Sequence, residues 1–122
     1  MKITKDKAIV DIQKEFKSQF PHLKIEFYLH RHDPGEGSQR RDQIATSVTI
    51  GEINPDLSEG TINLTPDTTV ADLENIFYQN FGLNIQVFRR SGMLWLQTSA
   101  TDSWTLSTQE AKGGHSEKIY KG

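Results

Sequence analysis

The same pattern of hydrophobic positions occurs twice along the chain. In each half, four apolar residues are spaced by three, four and four positions, which places them on one face of a helix. In the first half these residues are Ile9, Ile12, Phe16 and Phe20. In the second half they are Val70, Leu73, Phe77 and Phe81. Pro21 and Gly82 follow where each predicted helix should end.

Each predicted helix is followed by a stretch in which apolar residues alternate with polar ones. This period of two predicts half-buried strands that begin near Leu23 and Leu83. A short strand is also predicted before each helix, around residues 2–4 and 61–64. The repeat therefore spans residues 2–29 and 63–89, at an offset of 61 that becomes 60 after one extra residue near Pro21.

Two successive units of strand, helix and strand have the β-α-β-β-α-β order of ferredoxin-like folds. We therefore predict an α+β fold, a pseudo-duplicated strand–helix–strand forming a ferredoxin-like two-layer sandwich with two helices on one face of a largely antiparallel sheet. The dipeptide Ser91-Gly92 lies between two apolar-rich runs and predicts an extra C-terminal hairpin strand. A β-grasp-like fold, in which one helix crosses a mixed sheet, is the alternative.

Length and composition favour one globular domain over residues 1–112. A chain of 122 residues with 34% hydrophobic residues closes a single core, whereas two cores would each be marginal. Residues 31–48 are rich in Pro, Gly and charge and predict a mobile loop, and residues 113–122 predict a frayed tail. The N-terminus lacks the apolar core of a signal peptide, and no apolar run is long enough to span a bilayer. A cytoplasmic location is expected.

The sequence contains no arrangement typical of catalysis or cofactor binding. It has no cysteines, which excludes disulfides and cysteine zinc sites. His30, His32 and Asp33 could supply metal ligands from one extended segment, but a convincing third or fourth ligand is missing, so neither a metal nor a cofactor is predicted. Ser, His and Asp occur without an ordered catalytic motif. We expect a protein that is not an enzyme.

The predicted hairpin places aromatic side chains on one face of the sheet. If Ser91-Gly92 is a two-residue turn, Phe88 lies opposite Trp95 and Arg90 lies opposite Met93. Alternation then directs these side chains away from the helices. The same alternation, extended by the repeat, gives the full set of predicted binding residues, which are Tyr28, Phe88, Trp95, Arg90 and His30. Alternatively, the C-terminal segment folds back over this face and closes a second small core with Trp104 and Leu106.

Arginines also cluster along the sequence. The candidate basic patch, next to Arg90, consists of Arg31, Arg40, Arg41 and Arg89. Arg31 and Arg89 leave the same edge of equivalent strands, so they could converge. Solvated charges on loops and strand ends are the usual explanation for such a cluster.

These patterns favour a non-enzymatic module that binds another protein through the aromatic face or the sheet edge, because aromatic residues and Arg are enriched at interface centres. A single-stranded nucleic-acid-binding domain is the alternative, since bases stack on aromatic rings edged by cations. The formal net charge of -2 does not favour it. A small enzyme is the third class, and no membrane partner is expected.

The C-terminal half of the chain resembles a group of small uncharacterised bacterial proteins. The resemblance is carried by the stretches "FGLNIQVFRRSG", "WLQT" and "TDSWTL". It implies that this half is a recognisable module. It implies no activity, ligand or catalytic residue.

Overall fold

The protein is described from a computed structural model that covers residues 1–33 and 35–121, the last two of these by their backbone alone. The helices are α1 (Ile9–Gln19), α2 (Ile50–Ile53), α3 (Val70–Phe81) and α4 (Leu106–Lys121). The strands are β1 (Lys2–Ile3), β2 (Leu23–Tyr28), β3 (Gly60–Thr61), β4 (Asn84–Ser91) and β5 (Leu94–Gln97). Single turns of 3₁₀ helix occur at Arg40–Asp42 and Ser99–Thr101.

The strands form two antiparallel sheets. β1 pairs with β3, and the other three strands form a sheet in the order β2-β4-β5. The predicted α+β class, with helices packed on an antiparallel sheet, is confirmed. The arrangement differs in one detail from a single ferredoxin-like sheet, because the two short strands that precede α1 and α3 pair with each other and not with β2 or β4.

The apolar faces of α1 and α3 are buried as their spacing predicts. Phe16 of α1 and Phe77 of α3 are both fully buried, and the Phe77 ring packs edge-on against Phe27 of β2 at 5.8 Å. Gly82 ends α3 in a left-handed conformation with a φ of 62°, which glycine adopts without steric cost. We call the side of the sheet that packs against these helices the helix face.

The sequence repeat corresponds to an approximate two-fold axis in the structure. Glu26 of β2 pairs directly with Gln86 of β4, which is its own repeat equivalent 60 residues later. Likewise, Met1 and Ile62, which are 61 residues apart, exchange backbone hydrogen bonds of 2.9 and 2.8 Å. A residue can pair with its own equivalent only where a two-fold axis passes between the two. The two halves of the chain are therefore related by this axis.

The repeat extends beyond the predicted boundaries to a second pair of helix starts. The stretch "SVTI" at residues 47–50 begins α2, and "SWTL" at residues 103–106 begins α4. Val48 O accepts the backbone N–H of Ile9, the first residue of α1, at 2.9 Å. Trp104 O accepts the N–H of Val70, the first residue of α3, at 3.0 Å. Each short stretch thus satisfies a backbone donor that the start of a helix leaves unpaired.

These helix starts bind each other reciprocally. Ile50 N–H donates to Lys7 O at 2.8 Å, and its equivalent Leu106 N–H donates to Thr68 O at 2.8 Å. Within each half, therefore, two helices begin side by side, α1 with α2 and α3 with α4. The segment before each helix accepts a backbone hydrogen bond from the first residue of the other helix of the pair.

The C-terminal segment differs from its prediction in conformation and in place. Residues 113–121 continue α4 instead of forming a frayed tail. Ser116 Oγ donates to Arg90 O at 2.9 Å, which ties this part of the helix to β4. Leu106 is fully buried in the main core, and α4 packs against β4 on the helix face. The alternative in which this segment covers the aromatic face is therefore wrong.

The hairpin between β4 and β5 turns at Gly92-Met93 and not at Ser91-Gly92. Arg90 consequently lies opposite Trp95, and Phe88 lies opposite Gln97. The reason is the φ of 61° at Gly92, because a two-residue type II′ turn requires a positive φ at its first position. The register shifts by an even number of residues, so Phe88, Arg90 and Trp95 stay on the same face.

A candidate interaction surface around Trp95

The sheet face opposite the helix face is polar and aromatic, and we call it the open-side face. Its side chains, read from the strand registers, are Lys24, Glu26 and Tyr28 of β2, Gln86, Phe88 and Arg90 of β4, and Trp95 and Gln97 of β5. Tyr28, Phe88 and Trp95 therefore lie on one face, as alternation predicts. One end of this face is covered and the other end is exposed.

The covering segment is the central loop, of which residues 31–33 and 35–43 are described, and it lies over the Tyr28 end. Ser38 N–H donates to Gln97 Oε1 at 3.0 Å, and Gln97 Nε2 donates back to Ser38 O at 2.9 Å. Ser38 Oγ also donates to Gln86 Oε1 at 3.3 Å. Gln43 Nε2 donates to Glu26 Oε2 at 2.7 Å. These contacts hold the loop against the sheet through side-chain amides.

Tyr28 is consequently part of the interior. Its side chain is only 2% exposed. Burial, with a smaller contribution from the Glu26 carboxylate, raises the pKa of the Tyr28 phenol to about 12. His30 lies at the same end and its Nδ1 is 3.4 Å from Asp42 Oδ1. The structure therefore separates these two predicted binding residues from Phe88 and Trp95.

At the exposed end, three cations surround one indole ring. Lys24 Nζ lies 5.1 Å from the Trp95 ring centre, Arg90 Cζ lies 5.2 Å away, and Lys17 Nζ of α1 lies 5.3 Å away. Lys24 Nζ is also 5.1 Å from the Phe88 ring. Each distance is within the range of a cation–π interaction. We call these five residues, Lys17, Lys24, Phe88, Arg90 and Trp95, the Trp95 cluster.

Two carboxylates approach the Trp95 cluster from its borders. Glu26 Oε1 lies 4.0 Å from Lys24 Nζ, but Glu26 is buried and also accepts hydrogen bonds from two glutamines. Glu117 of α4 lies 3.8 Å from Arg90 Nε. Within the described part of the chain, Lys17 makes no ion pair. The cluster therefore carries an excess of positive charge on a protein whose net charge is negative.

The two-fold axis explains why only this end is exposed. Phe88 is the repeat equivalent of Tyr28, since the two are 60 residues apart on paired strands. β2 is followed by the central loop, which covers Tyr28, whereas β4 is followed by a two-residue turn that covers nothing. Phe88 and Trp95 thus remain half-buried where the equivalent surface in the first half is closed.

Next to the Trp95 cluster, β5 forms the outer edge of the sheet. Thr98 N–H donates to Val87 O, so in the antiparallel ladder the backbone groups of Leu94 and Leu96 also face β4 and those of Trp95 face outward. Leu94 and Leu96 are 73% and 48% exposed on the helix face, and Met93 in the turn is 61% exposed. β5 is therefore an apolar edge strand with free backbone groups.

The predicted basic patch is distributed over separate places. Arg89 lies on the helix face, where its guanidinium donates to Gln109 Oε1 at 2.7 Å, and burial lowers its pKa. Arg31 stacks on the Tyr78 ring of α3 at 3.9 Å. The remaining two, Arg40 and Arg41, are exposed in the 3₁₀ turn of the central loop. Arg31 and Arg89 thus have different partners and do not share one surface.

A cavity of about 270 Å³ lies between α3 and the start of the central loop. His32 Nε2 is 3.5 Å from Glu74 Oε2 in its wall, and both side chains are nearly buried. The neighbouring Glu74 carboxylate raises the pKa of His32 to about 9, against the opposing effect of burial. The imidazole is therefore protonated at neutral pH and forms an ion pair that fixes the loop on α3. The sequence indicated His32 but gave no local signal for Glu74.

No family model matches the chain, and no curated protein or solved structure is significantly similar to it. Among residues 1–33 and 35–121, no helix is both long and apolar enough to cross a membrane. The described residues also contain no group of three His, Cys, Asp or Glu side chains placed to hold a metal ion. Function must therefore be inferred from the geometry of the surface.

Proposed function

We propose that this protein is an interaction module that binds an extended segment of another protein along the free edge of β5. The observation that carries the proposal is the exposed apolar edge, where the outward backbone groups of Trp95 lie between the exposed side chains of Leu94 and Leu96. Addition of a strand to such an edge provides main-chain hydrogen bonds for affinity and side-chain contacts on both faces for specificity.

The way in which the central loop covers other parts of the same sheet supports this assignment. Edge strands with free backbone groups and exposed leucines favour unwanted association, and proteins commonly protect them with loops, charges or bulges. Here the central loop covers the Tyr28 end of the open-side face and binds Gln97, but it does not cover Trp95. Leaving this one edge uncovered is consistent with a docking site.

The test compares two leucine substitutions of equal chemistry. Leu94 in β5 and Leu29 after β2 are 73% and 63% exposed, so either can be changed to Lys with little effect on the core. In capture from native extract followed by hydrogen exchange, we expect the partner to protect the Trp95 amide and to be lost with Leu94→Lys but kept with Leu29→Lys. Equal loss with both variants, or an unprotected Trp95 amide, would contradict the proposal.

Single-stranded nucleic acid is a second candidate because three cations surround the half-buried Trp95 ring. The two candidates differ in salt dependence. Neutralisation of phosphates gives a steep linear fall of log K with log salt concentration, which binding to a strand edge need not show. Titration of a labelled oligothymidylate at three salt concentrations distinguishes them.

A further inference from the structure

The two faces of β5 differ in chemistry, and the difference defines what the partner strand must carry. We propose that the partner is an extended segment in which acidic and apolar residues alternate, with the acidic side chains over the Trp95 cluster and the apolar ones beside Leu94 and Leu96. This inference rests on the proposed function, since it names the class of partner for the same edge.

The alternation follows from strand geometry. Successive side chains of an added strand point to opposite faces of the sheet, so every second residue of the partner lies on the open-side face. That face presents Trp95 with Lys17, Lys24 and Arg90 around it. The partner residues between those positions lie on the helix face, where they meet the exposed side chains of Leu94 and Leu96. One partner strand therefore meets cations on one side and hydrocarbon on the other.

The cations around Trp95 favour carboxylates at the partner positions that lie on the open-side face. Of the two carboxylates near the Trp95 cluster, Glu26 is enclosed by Gln13, Gln43 and Lys24, so its charge is already engaged inside the protein. Glu117 lies 3.8 Å from Arg90 Nε, whereas Lys17 makes no ion pair within the described part of the chain. A partner carboxylate would thus meet uncompensated positive charge near Lys17, and such complementarity steers association and fixes register.

A second copy of this chain is a poorer occupant of the same edge. Antiparallel pairing of two β5 strands centred on Trp95 would bring the two Trp95 clusters together and double the number of cations there. Like charges in close juxtaposition oppose association. The cations therefore disfavour self-pairing of the edge and leave it free for an acidic strand.

The length of the edge limits the recognised segment. Gln97 is engaged by Ser38 of the central loop at one end, and Gly92 N–H donates to Ser116 Oγ at the other. The free part is therefore β5 itself, Leu94–Gln97, which spans about 13 Å at the usual strand rise. A partner segment of four to six residues is sufficient, of the kind that an extended tail or loop supplies.

The experiment uses the full chain and synthetic peptides measured by calorimetry. The probe peptide alternates Glu and Val over six residues. One control peptide alternates Lys and Val, and a second has the same composition as the probe with the Glu and Val residues in two blocks. We expect the probe to bind at least about tenfold more tightly than either control, because only the probe presents negative charge to one face and hydrocarbon to the other.

Matched charge reversals locate the contact. Lys17 belongs to the Trp95 cluster, whereas Lys5 is an exposed lysine near Glu59, away from β5. Lys17→Glu should weaken binding of the probe by about fivefold or more, and Lys5→Glu should change it less than twofold. If the Lys–Val peptide binds as well as the probe, or if Lys17→Glu has no effect, the acidic partner is wrong.

The failure of this inference can be told from failure of the proposed function. If Leu94→Lys abolishes binding of all three peptides while the charge reversals have no effect, the edge binds strands and only the acidic partner is wrong. If no peptide binds and the Trp95 amide gains no protection, both are wrong. Concentration-dependent dimerisation in sedimentation, abolished by Leu94→Lys, would replace the acidic strand by a second copy. Tight oligothymidylate binding with a steep salt slope would replace it by nucleic acid.

Discussion

Glu26 and Gln86 face each other across β2 and β4, although they are the same position in the two halves of the repeat. Their side chains have diverged in their contacts. Glu26 binds Gln13 of α1 and Gln43 of the central loop, whereas Gln86 binds Ser38 of the same loop. The central loop thus crosses the two-fold axis and contacts both halves at their equivalent centre. The loop covers one end of the open-side face and leaves the other end exposed, although the two-fold axis relates the strands β2 and β4 beneath it.

The two helices should contribute equally to stability. Phe16 and Phe77 occupy equivalent positions, and each is fully buried. We expect Phe16→Ala and Phe77→Ala to reduce the free energy of unfolding by similar amounts, about 3–5 kcal/mol each, because each change leaves a cavity in the same core. Denaturant unfolding of the two variants measures this. A near-neutral effect at either position would show that the halves are not equivalent in the core.

Tyr28 and Phe88 are also repeat equivalents, but the central loop buries only Tyr28. Aromatic residues at the two ends of the open-side face should therefore contribute differently to stability. Tyr28→Ala should cost about 3–4 kcal/mol, since the buried ring fills space under the loop. Trp95→Ala should cost only about 1 kcal/mol, because that ring is half-buried and has no loop above it. If the face binds a partner, Trp95→Ala should nonetheless weaken the complex by about 2 kcal/mol. A large loss of stability in Trp95→Ala would mean that the ring is structural.

The His32–Glu74 pair should make stability depend on pH. Because the folded pKa of His32, about 9, is above the unfolded value of 6.5, the protonated form is stabilised by folding. Its contribution is fully present below pH 6.5 and is lost as the pH rises through 9. A pKa shift of this size corresponds to at most about 3 kcal/mol in the free energy of unfolding. Urea unfolding at pH 6 and pH 10 should show this loss in the native chain.

Two variants serve as controls for the His32 prediction. His32→Gln removes the titrating group, and Glu74→Gln removes the carboxylate that raises its pKa. The pH dependence between 6.5 and 9 should be reduced in both. If the native chain and His32→Gln lose stability in parallel over this range, another group is responsible.

Adjacent glycines of α4 should respond oppositely to alanine. A Cβ at Gly113 would lie 3.0 Å from His22 O and 3.2 Å from Arg89 Cγ, so the helix would have to move away from β4. A Cβ at Gly114 would meet only the His22 ring at 3.4 Å, and alanine favours a helix by up to about 1 kcal/mol. Gly113→Ala should therefore be less stable than Gly114→Ala in thermal unfolding. Equal stability would argue against close packing of α4 at Gly113.

Periodicity was sufficient to predict the elements that bury one face. Phe16 and Phe77 mark helices, and Ile25 and Val87 mark strands, because local spacing determines which side chains share a side of the chain. The second repeated phrase was also visible, since "SVTI" and "SWTL" share a Thr before an aliphatic residue at the start of a helix. Its offset of 56 residues differs from that of the first phrase, so the alignment that reveals the first phrase does not bring the second into register.

Other features depend on interactions between distant residues. The cover over Tyr28 depends on Ser38 meeting Gln97, 59 residues away, which no local pattern indicates. The predicted turn differs from the observed one by one residue, because Ser91-Gly92 and Gly92-Met93 both contain the required glycine. The positive φ belongs to the first position of the turn. For the candidate site, sequence alternation places Lys24, Phe88, Arg90 and Trp95 on one face of the sheet. Lys17 joins them only through the packing of α1.

The reciprocal bonding of the helix starts is confined within each half of the chain. Residues 5–10 exchange backbone hydrogen bonds with residues 46–51, and residues 66–71 exchange them with residues 102–107. The halves contact each other through the pairings of β2 with β4 and of β1 with β3, and through the central loop, which binds β4, β5 and α3. None of these contacts needs a continuous chain. A nick in the connection near Ser58 would therefore yield two fragments that each retain both of their own helix starts. Such fragments are suited to reassemble on mixing, and the paired strands β2 and β4 would form the main interface between them.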